Sequence, residues 1–188
     1  MRNSSKITVK YQFLRIVLTQ AAASGIAFVF SAVAFWYFTN INVAKQLLSC
    51  VFMLVNFVLL YICAKNFATS DGKSYTPLKQ SYFKGVMFGV LVAALNVLLG
   101  IVFRLLWIKF GTEAGIEGMF PTAYNVFFCI WSYPYNGIMN LEHGDFTWYT
   151  WLAMIIVPIA ATTAGYIAGC RKFNITDKLD TYVYESEE

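Results

Sequence analysis

The stretch GVMFGVLVAALNVLLGIVFRLLWI, residues 85–108, decides the fold. Arg104 is its one charged residue. A helix crosses the hydrocarbon core of a bilayer in about 20 residues, and this run exceeds that. Inside lipid the backbone has no water to bond, so a single apolar run of this length must satisfy itself as a helix.

Three more runs of the same kind flank it, over 16–38, 46–64 and 149–169. The first ends in Phe35-Trp36-Tyr37-Phe38, an aromatic belt rather than the small residues of a cleavage site, and reads as a retained span. Between the third and fourth runs, residues 119–140 are half apolar and interrupted by Pro121 and Pro134. That pattern suits an interfacial or re-entrant helix better than a clean span. The expected fold is all-α: a polytopic membrane protein with four transmembrane helices and one interfacial or re-entrant helix. Residues 1–15 are expected to form a basic cytoplasmic N-terminus, 16–169 the bundle and 170–188 a cytoplasmic tail.

Composition agrees. Of 188 residues, 59% are hydrophobic and 13% charged, against about half and a quarter in soluble domains. Mean hydropathy is +0.57. The net charge of +4 comes from cations placed beside apolar runs. This placement implies a lipid bilayer as the partner and gives no support to nucleic acid. Eleven of the fourteen Lys and Arg fall in the N-terminus, the 65–84 segment and the tail; Lys45, Arg104 and Lys109 fall opposite. The positive-inside rule then puts both termini in the cytoplasm of a multi-pass cell-membrane protein.

Polar groups within the spans are the candidate functional residues. Asn56 and Asn96 lie near the middle of the second and third runs. An amide in hydrocarbon is costly without a partner. Each is expected to face another helix as a packing clamp, an arrangement in which adjacent antiparallel helices would let the two bond each other, or, alternatively, to line a substrate path. Pro158, mid-span in the fourth run, removes one backbone donor and frees the carbonyl of Met154. It reads as a tolerated kink or a hinge.

Small residues recur at helical spacing: Ala23, Ala27 and Ser31 in the first run; Gly85, Gly89, Ala93 and Gly100 in the third; Ala161, Gly165 and Gly169 in the fourth. Such stripes let helix backbones approach closely, within the bundle or against a partner. Arg104 is expected to snorkel to the outer interface.

His143, between Glu142 and Asp145, reads as a solvated loop residue, and no metal site is expected. Cys50, Cys63, Cys129 and Cys170 form no CxxC pair. A Cys50–Cys129 disulfide on the outer side is left open. Nucleophile and phosphate-loop motifs are absent, and the four runs as bounded here hold no Asp, Glu or His. The chain is therefore expected to be non-enzymatic and without a cofactor.

Two stretches resemble a known pattern. Tyr82-Phe83-Lys84-Gly85-Val86-Met87-Phe88-Gly89 is similar to a KGxxxG entry to a third span. After Pro158, the residues AGYIAGCRKFNITDKL (164–179) are similar to a closing GYxxGYKxxSxSEKL pattern. The aromatic, proline-bearing 124–140 segment is similar in position to one that precedes the last span. Together these resemble a family of small four-span membrane proteins common in clostridial Firmicutes, over roughly residues 70–185. Cys170 stands where the pattern has an aromatic residue, and the acidic tail is longer. The resemblance implies a four-span topology and a bacterial plasma membrane; it carries no activity and no site residues. The favoured expectation is a helix-packing or accessory component that pairs with itself or another membrane protein. The alternative is a transporter, or a transport subunit, for a small uncharged or lipid-like solute.

Overall fold

The computed structural model describes residues 9–38, 42–73, 78–112, 115–138 and 148–171, without the side chains at 31–46, 112–116 and 136–138. The elements are α1 (Val9–Phe38), α2 (Asn42–Asp71), α3 (Tyr82–Phe110), a two-residue antiparallel ladder of β1 (Gly111–Thr112) with β2 (Gly115–Ile116), α4 (Met119–Trp131), a 3-10 turn (Tyr133–Ile138) and α5 (Trp148–Cys170). Four of these helices carry a segment long and apolar enough to cross a membrane: Val9–Phe30, Leu47–Asp71, Tyr82–Phe110 and Trp148–Cys170. The chain is an all-α, multi-pass membrane protein.

The spans are longer than hydropathy alone suggests. Hydropathy ends the second run at Ala64 and leaves Asp71-Gly72 as a loop turn. Instead α2 continues to Asp71, and the chain turns only at Gly72. Phe67 and Ala68 are buried in the lower core, so the last two turns of α2 are held by packing. Likewise α1 begins at Val9 rather than at residue 16, and Gln12 and Ile16 are fully buried. One consequence corrects the sequence reading: the second span does contain an acid.

Helix α5 sits between α2 and α3, and glycines set how closely it fits. A Cβ at Gly85 would meet Tyr166 Cβ at 2.8 Å, and one at Gly89 would meet Ile159 Cα at 2.5 Å. On the other side, a Cβ at Gly169 would meet the Lys65 carbonyl at 2.5 Å, and one at Gly165 would collide with the Tyr61 carbonyl. Ala23, Ala27, Ala93, Gly100 and Ala161 are also buried. The stripes are thus occupied inside the bundle. The side chain of Ser31, together with His143 and Asn140, lies outside the described residues.

Two apolar cores stack along the bundle. The lower one gathers Ile16, Leu60, Ala64, Phe67, Phe88, Val92, Ala161 and Tyr166 from all four spans. The upper one joins Phe103 and Met154 to Phe128 of α4 and Tyr135 of the 3-10 turn. Phe103 and Phe128 stack with ring centroids 4.7 Å apart.

Helix α4 is preceded by Gly118 at its N-cap, whose φ of 107° disfavours any side chain. Pro121 does not interrupt it, because the first turn of a helix lacks intrahelical N–H partners anyway. Met119 and Phe120 are strongly exposed while Pro121 and Phe128 are buried. The segment 119–138 therefore forms a wedge, one face outward and its tip between the spans.

Candidate functional site

Two layers of buried polar groups cross the bundle, one beneath the wedge and one at the opposite, lysine-bearing end. Along α1, α2 and α3 the residues of the two layers are 8 to 22 positions apart, or roughly 12–33 Å along the helices.

The lower layer is built on Asp71, 5% exposed at the end of α2. Gln12 Nε2 of α1 donates to its Oδ1 at 2.7 Å. Lys84 Nζ of α3 lies 2.8 Å from Oδ2, and Tyr166 of α5 donates its hydroxyl to the same oxygen at 2.7 Å. One carboxylate thus receives one side chain from each of the other three spans. Burying a charge demands such a partner set, because the desolvation cost is met only when the pair is close and the remaining lone pairs are bonded. Lys84-Gly85 and Gly165-Tyr166 are the residues at the heart of the two motifs quoted above. They are about 80 positions apart, and they meet here.

The upper layer is assembled around the wedge. Trp131, at the end of α4, donates its indole N–H to Asn96 Oδ1 at 2.9 Å, while its carbonyl accepts from Ser24 Oγ at 2.7 Å. Ser49 Oγ donates to the Pro134 carbonyl at 3.0 Å. Asn56 Nδ2 donates to the Tyr135 hydroxyl at 3.1 Å. The wedge tip is therefore bonded to α1, α2 and α3 at positions deep within those helices.

These contacts correct the expected pairing of the two asparagines. Asn56 and Asn96 do not bond each other, because the wedge stands between them and supplies each with its own aromatic partner. The carbonyl of Met154 left free by Pro158 accepts from Asn96 Nδ2 at 3.2 Å. Asn96 thus repairs the backbone gap in α5 that Pro158 opens. One turn on, Thr162 Oγ1 lies 2.8 Å from the Pro158 carbonyl and 2.9 Å from that of Gly85, so α3 and α5 share a second polar tie.

The upper layer is not saturated. Gln20 is fully buried, yet neither end of its amide has a hydrogen-bond partner, and Asn56 Oδ1 has none. Gln20 lies close enough to the Tyr135 hydroxyl to influence it, without a well-formed hydrogen bond. An unsatisfied buried polar group costs about 1–3 kcal/mol. Three such atoms lie in this layer: acceptors on Gln20 and Asn56 and a donor on Gln20.

No family model, curated protein or solved structure matches this chain.

The sequence reading found Asn56, Asn96 and Pro158 but missed Gln20, Asp71, Trp131 and Tyr135. A signal for Gln20 was present, since it is an amide inside the first apolar run, just as the asparagines are inside theirs. Cys50 is exposed and Cys129 is half-buried with its Sγ 3.4 Å from Asn125 Oδ1; no disulfide joins them. Arg104 is exposed on α3.

Proposed function

We propose that this chain is a non-enzymatic membrane protein that binds a small, uncharged, hydrogen-bonding solute beneath the wedge, as a transporter or transport subunit. The observation that carries the reading is the set of unpartnered polar atoms on Gln20 and Asn56, fully buried beside Tyr135. The wedge supports it too. Backbone that is not a spanning helix is tolerated at membrane depth where protein buries it or where it borders a hydrated cavity. With the lysine-rich end in the cytoplasm, as the distribution of cations favours, the wedge is a re-entrant segment entering from outside. The plasma membrane of a bacterium is the setting that the motif resemblance suggests.

The accessory-component reading drew on small-residue stripes and on spans free of ionisable groups. Those stripes are filled by neighbouring helices of the same chain, and Asp71 lies within a span. This shifts support toward the solute-binding reading.

Swelling of proteoliposomes in glycerol and in urea, two small uncharged probes, tests it. The expected result is a rate above that of protein-free vesicles, lost in Gln20→Leu while the variant stays folded. Rates equal to those of empty vesicles, with no thermal stabilisation by either probe, would overturn the proposal.

A further inference from the structure

Along the α1–α2 seam lies a half-open groove of about 290 Å³, lined by none of the side chains that build the two polar layers. Tyr11, Arg15 and Thr19 form one wall, and Leu59, Ile62 and Asn66 are on the other. Its floor is closed by Phe67, beneath the Arg15 guanidinium at 6.0 Å from the ring centroid, and by the contact of Thr19 Oγ1 with Cys63 Sγ at 3.5 Å.

The groove has a polar end and an apolar end. Arg15 and Asn66 are both exposed and stand at the end nearer the lysine-rich face. No carboxylate pairs with Arg15 among the described residues. Leu59 and Ile62 lie one to two turns further into the span and present aliphatic surface. Such an ordering, cation and amide at the membrane boundary and hydrocarbon behind them, matches one phospholipid molecule laid along the seam. A planar guanidinium binds phosphate with paired hydrogen bonds, and an exposed cation at this depth prefers an anionic headgroup to a zwitterionic one.

We infer that the α1–α2 groove is a binding site for one anionic phospholipid, its phosphate on Arg15 and Asn66 and an acyl chain against Leu59 and Ile62. The site is separate from the solute layer, and either can fail without the other.

Native mass spectrometry of the full chain, released from micelles holding equal amounts of phosphatidylglycerol and phosphatidylcholine, tests this. The wild type is expected to retain one phosphatidylglycerol in preference. Arg15→Gln should reduce that retention about five-fold, the share of one cation near an anionic lipid. Ile62→Trp, which keeps the charge and fills the apolar end, should reduce it too. Lys109→Gln, at the opposite end of the bundle, should leave it unchanged. Equal retention of the two lipids would overturn the inference. So would an equal loss in Lys109→Gln, or displacement of the lipid by inorganic phosphate.

Discussion

The two polar layers use similar materials in opposite ways. At the lysine-bearing end, the Asp71 carboxylate collects Gln12, Lys84 and Tyr166, so the charge is compensated. Beneath the wedge, both ends of the Gln20 amide and Asn56 Oδ1 lack a well-formed hydrogen bond, against Gln12 Oε1 alone in the Asp71 layer. A charge left bare in an apolar interior would cost several kcal/mol and threaten the fold. A bare amide costs far less and can be tolerated for a function. The bundle is thus tied by a compensated charge at one end and carries more unsatisfied amide atoms at the other.

The sharpest way to break this contrast is to remove the carboxylate. Asp71→Ala leaves Lys84 mostly buried without its counter-charge and should destabilise the protein by about 3–5 kcal/mol. The expected readout is a large fall in the unfolding midpoint in detergent, with Asp71→Asn falling less. Unchanged stability would mean that the lower layer is not the anchor described here.

A smaller loss is expected from Gly165→Val. Its side chain has no room beside the Tyr61 carbonyl, and forcing α5 away from α2 should cost about 1–3 kcal/mol. The same measurement on Gly25, beside which a Cβ would meet nothing within 4 Å, gives the control.

The upper layer predicts a change of opposite sign. Without solute, Gln20→Leu should raise stability by about 1 kcal/mol, because it removes polar atoms that nothing satisfies. A fall in stability instead would show Gln20 bonded within the protein and would remove the contrast between the layers.

The smallest effect expected is a coupling. Asn96→Ala should cost less in a Pro158→Ala background, where the substituted alanine supplies the N–H that the Met154 carbonyl lacks. A double-mutant cycle should return about 0.6 kcal/mol, the ordinary size of such a bond within a membrane. Strict additivity would separate Asn96 from Pro158.

The four spans were legible because hydropathy is a one-dimensional property, and each run carries enough of it. The ends of α1 and α2 were not, because they depend on partners distant in sequence. Gln12 is tolerable as a helical, buried residue only because Asp71 meets it, and neither residue signals the other. Asp71-Gly72 also has the composition of a turn; Gly72 does turn the chain, whereas Asp71 ends the helix facing inward. The asparagines were recognisable as groups needing partners. Their partners, Trp131 and Tyr135, come from the segment whose interruptions made it hardest to read. Pro158 and Asn96 were each visible, but their connection through the Met154 carbonyl needed three dimensions.

The junction at Asp71 also bears on how the chain is made. The second span enters the membrane carrying a carboxylate whose Gln12 partner is already synthesised. The lysine follows 13 residues later, and the tyrosine hydroxyl comes only with the final helix, 95 residues on. Until α5 arrives, the nascent protein holds an incompletely shielded acid at the membrane boundary. Arrival of α5 and completion of that junction are therefore one event, and a chain stopped before α5 leaves the acid without its tyrosine hydroxyl.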